Sequence, residues 1–167
     1  MTFNEWINDV LSKDLICDDY RVRVLSAKSK KQFMDIVLEA NGLEYLCKAK
    51  TSGYGLPYDT ILREFAPFIN GNYDAKIERG GDKWYTSTMF VKLDEKSEVR
   101  VANTATGLFG CSCRVYIPQN KYVQLYVDDE CELDIYCPSS SKCYLAHCGG
   151  AKIKVSEGED RVIFEEI

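Results

Sequence analysis

A repeat of ten residues between Cys111 and Val155 constrains the fold of this chain more than any other feature. Written in register, its segments read CSCRVYIPQN, KYVQLYVDDE, CELDIYCPSS, SKCYLAHCGG and AKIKV. Two apolar columns recur at odd-numbered positions: Cys113, Val123, Leu133, Cys143 and Ile153 form one, and Val115, Leu125, Ile135, Leu145 and Val155 form the other. Because successive side chains of a strand point to opposite faces, the odd positions predict one continuous apolar layer.

Two architectures fit this repeat, because strands of about six residues joined by turns of about four residues account for the period. In an antiparallel meander, neighbouring segments pair with each other. In a short β-solenoid with two strands in each coil, every coil stacks on the previous one, and Val115 would pair with a residue near 135. We favour the solenoid because similar residues recur in the same column, and the meander remains the alternative.

Apolar periodicity predicts helices in the N-terminal half of the chain. Residues 3–12 place their apolar side chains on one helical face; these are Phe3, Trp6, Ile7, Val10 and Leu11. A second helix is predicted from Lys30 to about residue 40, with Ser29 as its N-cap and Asn41-Gly42 as its C-terminal stop.

The remaining N-terminal segments are predicted from shorter signals. Residues 21–26 read RVRVLS, and the alternation of their valines predicts a short strand. Residues 58–68 are predicted to form a third helix after a loop with two glycines.

The character of the chain changes to β near residue 83, where aromatic and β-branched residues become frequent. We therefore predict an α+β fold, with a mainly helical subdomain in residues 1–80 and a β-repeat subdomain in residues 81–167. The two are expected to share a core, because no long flexible linker separates them.

Charge and hydropathy exclude several classes of protein. The net charge is −5 and both halves of the chain are mildly acidic, so we expect no binding of duplex nucleic acid, which requires a basic face. The N-terminus lacks the features of a signal peptide, and no apolar run has the length of a membrane span. We therefore expect a cytoplasmic protein without a membrane partner, whose eight cysteines remain thiols.

The C-terminal cysteines and the single histidine raise the question of a metal site, and the candidate ligands are Cys131, Cys137, Cys143, His147 and Cys148. Their spacing lacks the paired C-x-x-C knuckles of structural zinc sites. Several of these cysteines share the inward parity of the repeat, which predicts buried core thiols. We predict no metal, no cofactor and no catalytic residue; a small cysteine/histidine-dependent enzyme or a zinc-binding protein is the alternative.

Tyrosines are the predicted partner-binding residues. Four of them have outward parity in the repeat, and two flank the glycines of the loop near residue 55: Tyr116, Tyr126, Tyr136, Tyr144, Tyr54 and Tyr58. Tyrosine supplies a large apolar area with a polar end, which suits protein recognition. The alternative is that the N-terminal helices cover this tyrosine face.

The segment GLPYDTILREFAPFINGNY, followed by a short-period β repeat, resembles small uncharacterised proteins of prophages and mobile elements in gut bacteria. The resemblance implies an accessory role, as an assembly factor or as an inhibitor of a host defence system. Together with the tyrosines, it predicts a non-enzymatic protein-interaction module with a protein partner of unspecified identity. Self-association into a homo-oligomer stays open.

Overall fold

The computed structural model describes residues 4, 5, 8, 17–37, 39, 42–44, 47, 83–85, 89–90, 98–101 and 105–167. Two helices precede the β region: α1, Asp18–Ser26, and α2, Lys30–Val37. The strands are β1, Lys83–Tyr85; β2, Met89–Phe90; β3, Glu98–Val101; β4, Ala105–Phe109; β5, Ser112–Tyr116; β6, Tyr122–Val127; β7, Glu132–Tyr136; β8, Lys142–His147; β9, Lys152–Glu157; and β10, Val162–Glu166. A short 3₁₀ helix, Glu159–Arg161, joins the last two strands.

The strands form two parallel sheets, and consecutive strands alternate between them. The odd sheet has the order β1-β3-β5-β7-β9, and the even sheet has the order β10-β8-β6-β4-β2. Val115 pairs with Ile135, and Leu125 pairs with Leu145, so each residue lies beside the residue twenty positions further along the chain. This register confirms the predicted β-solenoid and excludes the antiparallel meander.

The inward side chains of both sheets form one core. Its members are buried residues of β3 to β8 and of the turns between them, together with Val162 of β10: Val99, Val101, Leu108, Cys111, Cys113, Val115, Ile117, Val123, Leu125, Val127, Cys131, Leu133, Ile135, Cys137, Cys143, Leu145 and Val162. The five cysteines in this cluster are free thiols, as the inward parity of the repeat predicts. They are small apolar side chains that fill the narrow space between two closely packed sheets.

The turns of successive coils are joined by hydrogen bonds as well as by the sheets. Ser141 is buried in one turn, and its Oγ donates to the carbonyl of Pro118 in the turn below at 2.6 Å. The same oxygen accepts from the backbone N–H of Lys121 at 3.3 Å. Ser140 Oγ accepts from Asn120 N at 3.1 Å, and the left-handed φ of 58° at Asn120 suits an asparagine. The turn of residues 118–121 and the turn of residues 138–141 therefore stack in register, as the strands do.

Residues 21–26 lie in α1, so the predicted strand is wrong. Val24 is buried, whereas Val22 is 65% exposed, so the two valines do not share a face as they would in a strand. The helical spacing brings Tyr20 and Arg23 to one side, where both contact Glu39. Arg23 Nη1 donates to Glu39 Oε2 at 2.7 Å, and Tyr20 Oη donates to the same oxygen at 3.2 Å.

The predicted start of α2 is confirmed and its predicted stop is not. Ser29 Oγ accepts from Gln32 N at 3.2 Å, and Gln32 Oε1 accepts from Lys28 N at 2.8 Å, which satisfies two backbone donors at the start of the helix. Gly42 is itself helical, together with Leu43 and the residue after it, and does not end a helix. Leu43 N donates to Glu39 O at 2.9 Å, a helical hydrogen bond that spans the predicted stop.

Other predictions for the N-terminal half are covered in part. Asn4, Glu5 and Asn8 are helical and exposed. The apolar face of that helix, the predicted helix at 58–68 and the boundary between residues 80 and 81 lie outside the described residues. No helix in the described part of the chain has the length and apolar character needed to cross a membrane.

Leu43 and Cys47 contact the outer side of the even sheet. Cys47 is buried, and its carbonyl accepts from Cys148 Sγ at 2.8 Å. Leu43 is also buried and approaches Gly107, where a Cβ atom would lie 3.1 Å from Leu43 Cδ2. Part of the even sheet therefore has its outer side covered by N-terminal residues.

Candidate functional site

The outer face of the odd sheet consists of polar and aromatic side chains in three rows that run across the strands. The first row contains Ser112, Glu132 and Lys152; the second contains Glu98, Arg114, Asp134 and Lys154; the third contains Arg100, Tyr116, Tyr136 and Glu157. Each row exists because parallel in-register pairing places outward residues of successive coils side by side.

Acidic and basic residues alternate along these rows and form ion pairs between coils. Arg114 Nη1 lies 3.8 Å from Glu98 Oε1, Lys154 Nζ lies 3.8 Å from Asp134 Oδ2, and Lys152 forms an ion pair with Glu132. Each such exposed pair stabilises the fold by less than about 1 kcal/mol. The four acidic and four basic residues of the face balance, so this face is neutral although the chain carries a net charge of −5.

Tyr116 and Tyr136 form a stacked pair at one end of the face. Their ring centroids are 4.7 Å apart and their planes differ by 14°. This distance matches the spacing of neighbouring strands, so the register of β5 on β7 imposes the stack. Tyr116 Oη donates to Glu98 Oε1 at 3.4 Å and Tyr136 Oη donates to Asp134 Oδ2 at 3.1 Å, which holds both rings in place.

Charged residues stand at both ends of the tyrosine pair. The guanidinium carbon of Arg100 lies 5.7 Å from the centroid of the Tyr116 ring, within range of a cation–π interaction. Glu157 lies beside Tyr136 in the register of the sheet. These four residues line a depression of about 260 Å³, whose walls include Pro118 and Pro138; we call it the tyrosine groove.

Partial burial raises the pKa of Tyr116, and the negative charge of Glu98 raises it further. The hydroxyl therefore remains protonated at neutral pH and continues to donate to Glu98. A second depression of about 400 Å³ lies over the ion-paired rows of the same face.

The structure separates the four repeat tyrosines that the sequence places on one outward face. Tyr116 and Tyr136 belong to the odd sheet and are half-buried, whereas Tyr126 and Tyr144 belong to the even sheet. Tyr126 is 5% exposed, and burial and the nearby Glu44 raise the pKa of its hydroxyl. For Tyr126 the alternative from the sequence analysis applies, because N-terminal residues cover this part of the even sheet.

The other predicted tyrosines contribute less to a site. Tyr144 is half-buried, and its hydroxyl is engaged by a hydrogen bond to Glu165 of the neighbouring strand β10. Tyr54 and Tyr58 lie outside the described residues. The tyrosine groove therefore contains two of the six predicted residues.

The candidate metal ligands are distributed over two sides of the even sheet. Cys131, Cys137 and Cys143 lie in the core, whereas Cys148 contacts Cys47 on the outer side. His147 is half-buried and packs edge-on against Phe164, with ring centroids 6.1 Å apart. Among the described residues, no three His, Cys, Asp or Glu side chains are arranged to hold a metal ion.

Burial shifts several of these thiols away from reactivity. It raises the pKa of Cys47 and of Cys131 well above the ordinary value, and it raises the pKa of Cys143 to about 12. A thiol with such a pKa is protonated at neutral pH, and a protonated thiol is a poor nucleophile. These three cysteines are packing residues.

The ten-residue register does not reveal Arg100 and Glu157, the two charged residues of the groove. Arg100 pairs with Tyr116, which is sixteen residues away, so it stands outside the twenty-residue spacing. Glu157 pairs with Tyr136, which is twenty-one residues away, because the strand has an irregularity at Ile135 and Tyr136. The alternation of Glu98 to Val101 was the one local signal for the strand that carries Arg100.

Comparison with known proteins does not assign this site. No protein-family model, no curated protein and no solved structure matches the chain.

Proposed function

We propose that this protein is a non-enzymatic interaction module that binds a partner protein through the tyrosine groove. The observation that carries the proposal is the stacked pair Tyr116–Tyr136, which is held on a solvent-facing sheet with Arg100 and Glu157 at its ends. Tyrosine and arginine are the residue types that contribute most often to binding hot spots. The hydrogen bonds of Tyr116 to Glu98 and of Tyr136 to Asp134 hold both rings in place before binding. Less conformational entropy is therefore lost when the partner binds.

The chemistry of the groove specifies what a partner must present. The two rings offer an apolar surface for an aliphatic or aromatic side chain, while Arg100 favours an acidic group and Glu157 favours a basic one. A depression of about 260 Å³ is shallow and accommodates side chains of a partner segment. The neutral face gives no long-range attraction to phosphate backbones.

Within this proposal the protein acts by occupying a surface of its partner, as an assembly factor or as an inhibitor of a host defence system. The support for this role is the resemblance of the GLPYDTILREFAPFINGNY segment to proteins of prophages and mobile elements. The eight free thiols support a reducing compartment, such as the cytoplasm, as the place where it acts.

Affinity capture with matched variants tests the proposal. Tyr136→Ala removes half of the stacked pair, and we expect at least about a tenfold loss in the amount of a specific captured protein, as for a hot-spot residue. Tyr122→Ala is the control, because Tyr122 is exposed on the even sheet and lies away from the groove. Equal capture by both variants and by the wild-type protein would contradict the proposal.

A conservative variant separates the ring from its hydroxyl. Tyr136→Phe keeps the stack and removes the hydrogen bond to Asp134. We expect it to retain most of the capture, because the apolar ring area supplies most of the contact. A loss as large as that of Tyr136→Ala would assign the binding to the hydroxyl.

A further inference from the structure

The solenoid presents two edge strands at the same end. β9 is the last strand of the odd sheet and β10 is the last strand of the even sheet. β9 pairs on one side with β7, and β10 pairs on one side with β8. The opposite edge of each strand pairs with no strand in the described part of the chain, and such an edge is a template for pairing with another chain.

The apolar columns of the core are incompletely buried at this end. Ile135 is fully buried in β7, whereas Val155, which pairs with it from β9, is only partly buried. Phe164 shares the inward parity of Leu145 and is nevertheless 45% exposed. Burying these side chains against a further layer would remove apolar surface from water.

The two edge strands carry opposite charges. The exposed charged residues of β9 are Lys152, Lys154 and, at its end, Glu157, so β9 is net positive, whereas those of β10 are Glu165 and Glu166. A basic strand beside an acidic strand is self-complementary under a two-fold rotation that places each strand over the other kind. Charge complementarity thus indicates that a second copy of this chain covers the end of the solenoid formed by β9 and β10.

We propose that two copies of this chain dimerise end to end, with β9 of each copy pairing antiparallel with β10 of the other. A coil runs along one sheet and returns along the other, so β9 and β10 point in opposite directions. A two-fold axis parallel to the strands therefore places β9 of one copy over β10 of the second copy in antiparallel orientation. Both edges of the end are then paired, so the assembly closes at two copies.

The register of this pairing follows from the parity of the side chains. Inward residues stay inward when Ile153 faces Phe164 and Val155 faces Val162 of the second copy. The same alignment puts Lys152 beside Glu165 on the outer side. Apolar and oppositely charged cross-strand pairs are the kinds that stabilise antiparallel strands.

Sedimentation equilibrium tests the dimer directly. We expect the wild-type protein at tens of micromolar to have twice the chain mass of 19.0 kDa. Phe164→Lys buries a charge in the interface and should raise the dissociation constant at least tenfold. Leu25→Lys is the matched control, because Leu25 is 63% exposed on α1 and its replacement should leave the mass of the dimer unchanged. Circular dichroism establishes that each variant is folded.

A charge-exchange experiment tests the register without relying on one variant. Lys152→Glu and Glu165→Lys should each weaken self-association, since each places like charges side by side in a homodimer. Mixing the two variants restores opposite charges at both contacts, and the dimer mass should return. A wild-type protein that keeps the mass of one chain, or forms assemblies larger than two, overturns the proposal. Failure of the mixture to recover the dimer does so as well.

Discussion

Asp128 offers the sharpest test of how the coils are held in register. This carboxyl group is 5% exposed, and its Oδ1 accepts from Gly110 N of the turn below at 3.0 Å and from Glu130 N at 3.2 Å. It also accepts from Cys131 Sγ at 3.2 Å. One oxygen atom therefore joins the turns of two successive coils.

Two substitutions at Asp128 separate hydrogen bonding from charge. Asp128→Ala leaves two backbone N–H groups without their acceptor, and a buried donor without a partner costs about 1–3 kcal/mol. Gly110 is buried, so it carries the full cost, whereas Glu130 is exposed and water can replace its bond. We therefore expect Asp128→Ala to lower the free energy of unfolding by about 2–3 kcal/mol. Asp128→Asn keeps an acceptor oxygen and should cost less than about 1 kcal/mol.

The comparison depends on pH in a defined direction. Burial is the main cause that raises the pKa of Asp128, and the hydrogen bonds from Gly110, Cys131 and Glu130 oppose it only in part. The folded protein thus keeps this proton at a pH where the unfolded chain has released it. Stability contributed by this group falls as the pH rises from the unfolded pKa to the folded pKa, and it is level above that window. The stability of Asp128→Asn relative to that of the wild type should therefore increase as the pH rises across the same window.

Urea unfolding followed by circular dichroism at several pH values from 4 to 8 measures both effects. Asp19→Asn is the control for removing an acidic residue, because Asp19 is exposed on α1. The reasoning is refuted if Asp128→Asn is as destabilising as Asp128→Ala and the difference between Asp128→Asn and the wild type does not change with pH.

Two further substitutions test packing, with urea unfolding as the measurement. Leu145→Ala leaves a cavity at a fully buried site in the core and should lower the free energy of unfolding by about 2–5 kcal/mol. Val155→Ala, at the partly buried end, should lower it clearly less. Equal losses of stability would contradict the described burial. Gly107→Val should cost about 1–3 kcal/mol, because a Cβ there would lie 2.5 Å from Phe109 Cε2 and 3.1 Å from Leu43 Cδ2. An unchanged stability would contradict the close packing of these two side chains against Gly107.

The solenoid was predictable because the repeat specifies which side chains face inward, and parity is a local property of a strand. Parity does not specify which strands are neighbours, and the same turns serve a meander, so the pairing of Val115 with Ile135 had to be observed. Residues 21–26 show the opposite case. Their alternation indicated a strand, and contacts with Glu39, which lies outside the segment, accompany a helix instead.

The candidate site was predictable to the same extent. Outward parity placed Tyr116 and Tyr136 on an outer face, where the structure has them, but it did the same for the buried Tyr126, since parity cannot show which sheet the N-terminal residues cover. The repeat did not identify Arg100, because β3 precedes the regular part and the sequence separation of Arg100 and Tyr116 is not a multiple of ten. A site whose residues come from irregular coils can be located only once the pairing of the strands is known.

The parallel register has a consequence for how such a chain can change length. The pairs of β5 with β7 and of β6 with β8 all follow an offset of twenty residues. Loss or duplication of twenty residues within this regular part would therefore remove or add one whole coil and leave each remaining side chain on its own face. A change of ten residues between Tyr116 and Tyr136 would keep the inward side chains inward and yet transfer every later strand to the other sheet, which would carry Tyr136 away from Tyr116. Selection for the tyrosine groove would therefore tolerate growth of this protein in complete turns and remove variants that grow by half a turn.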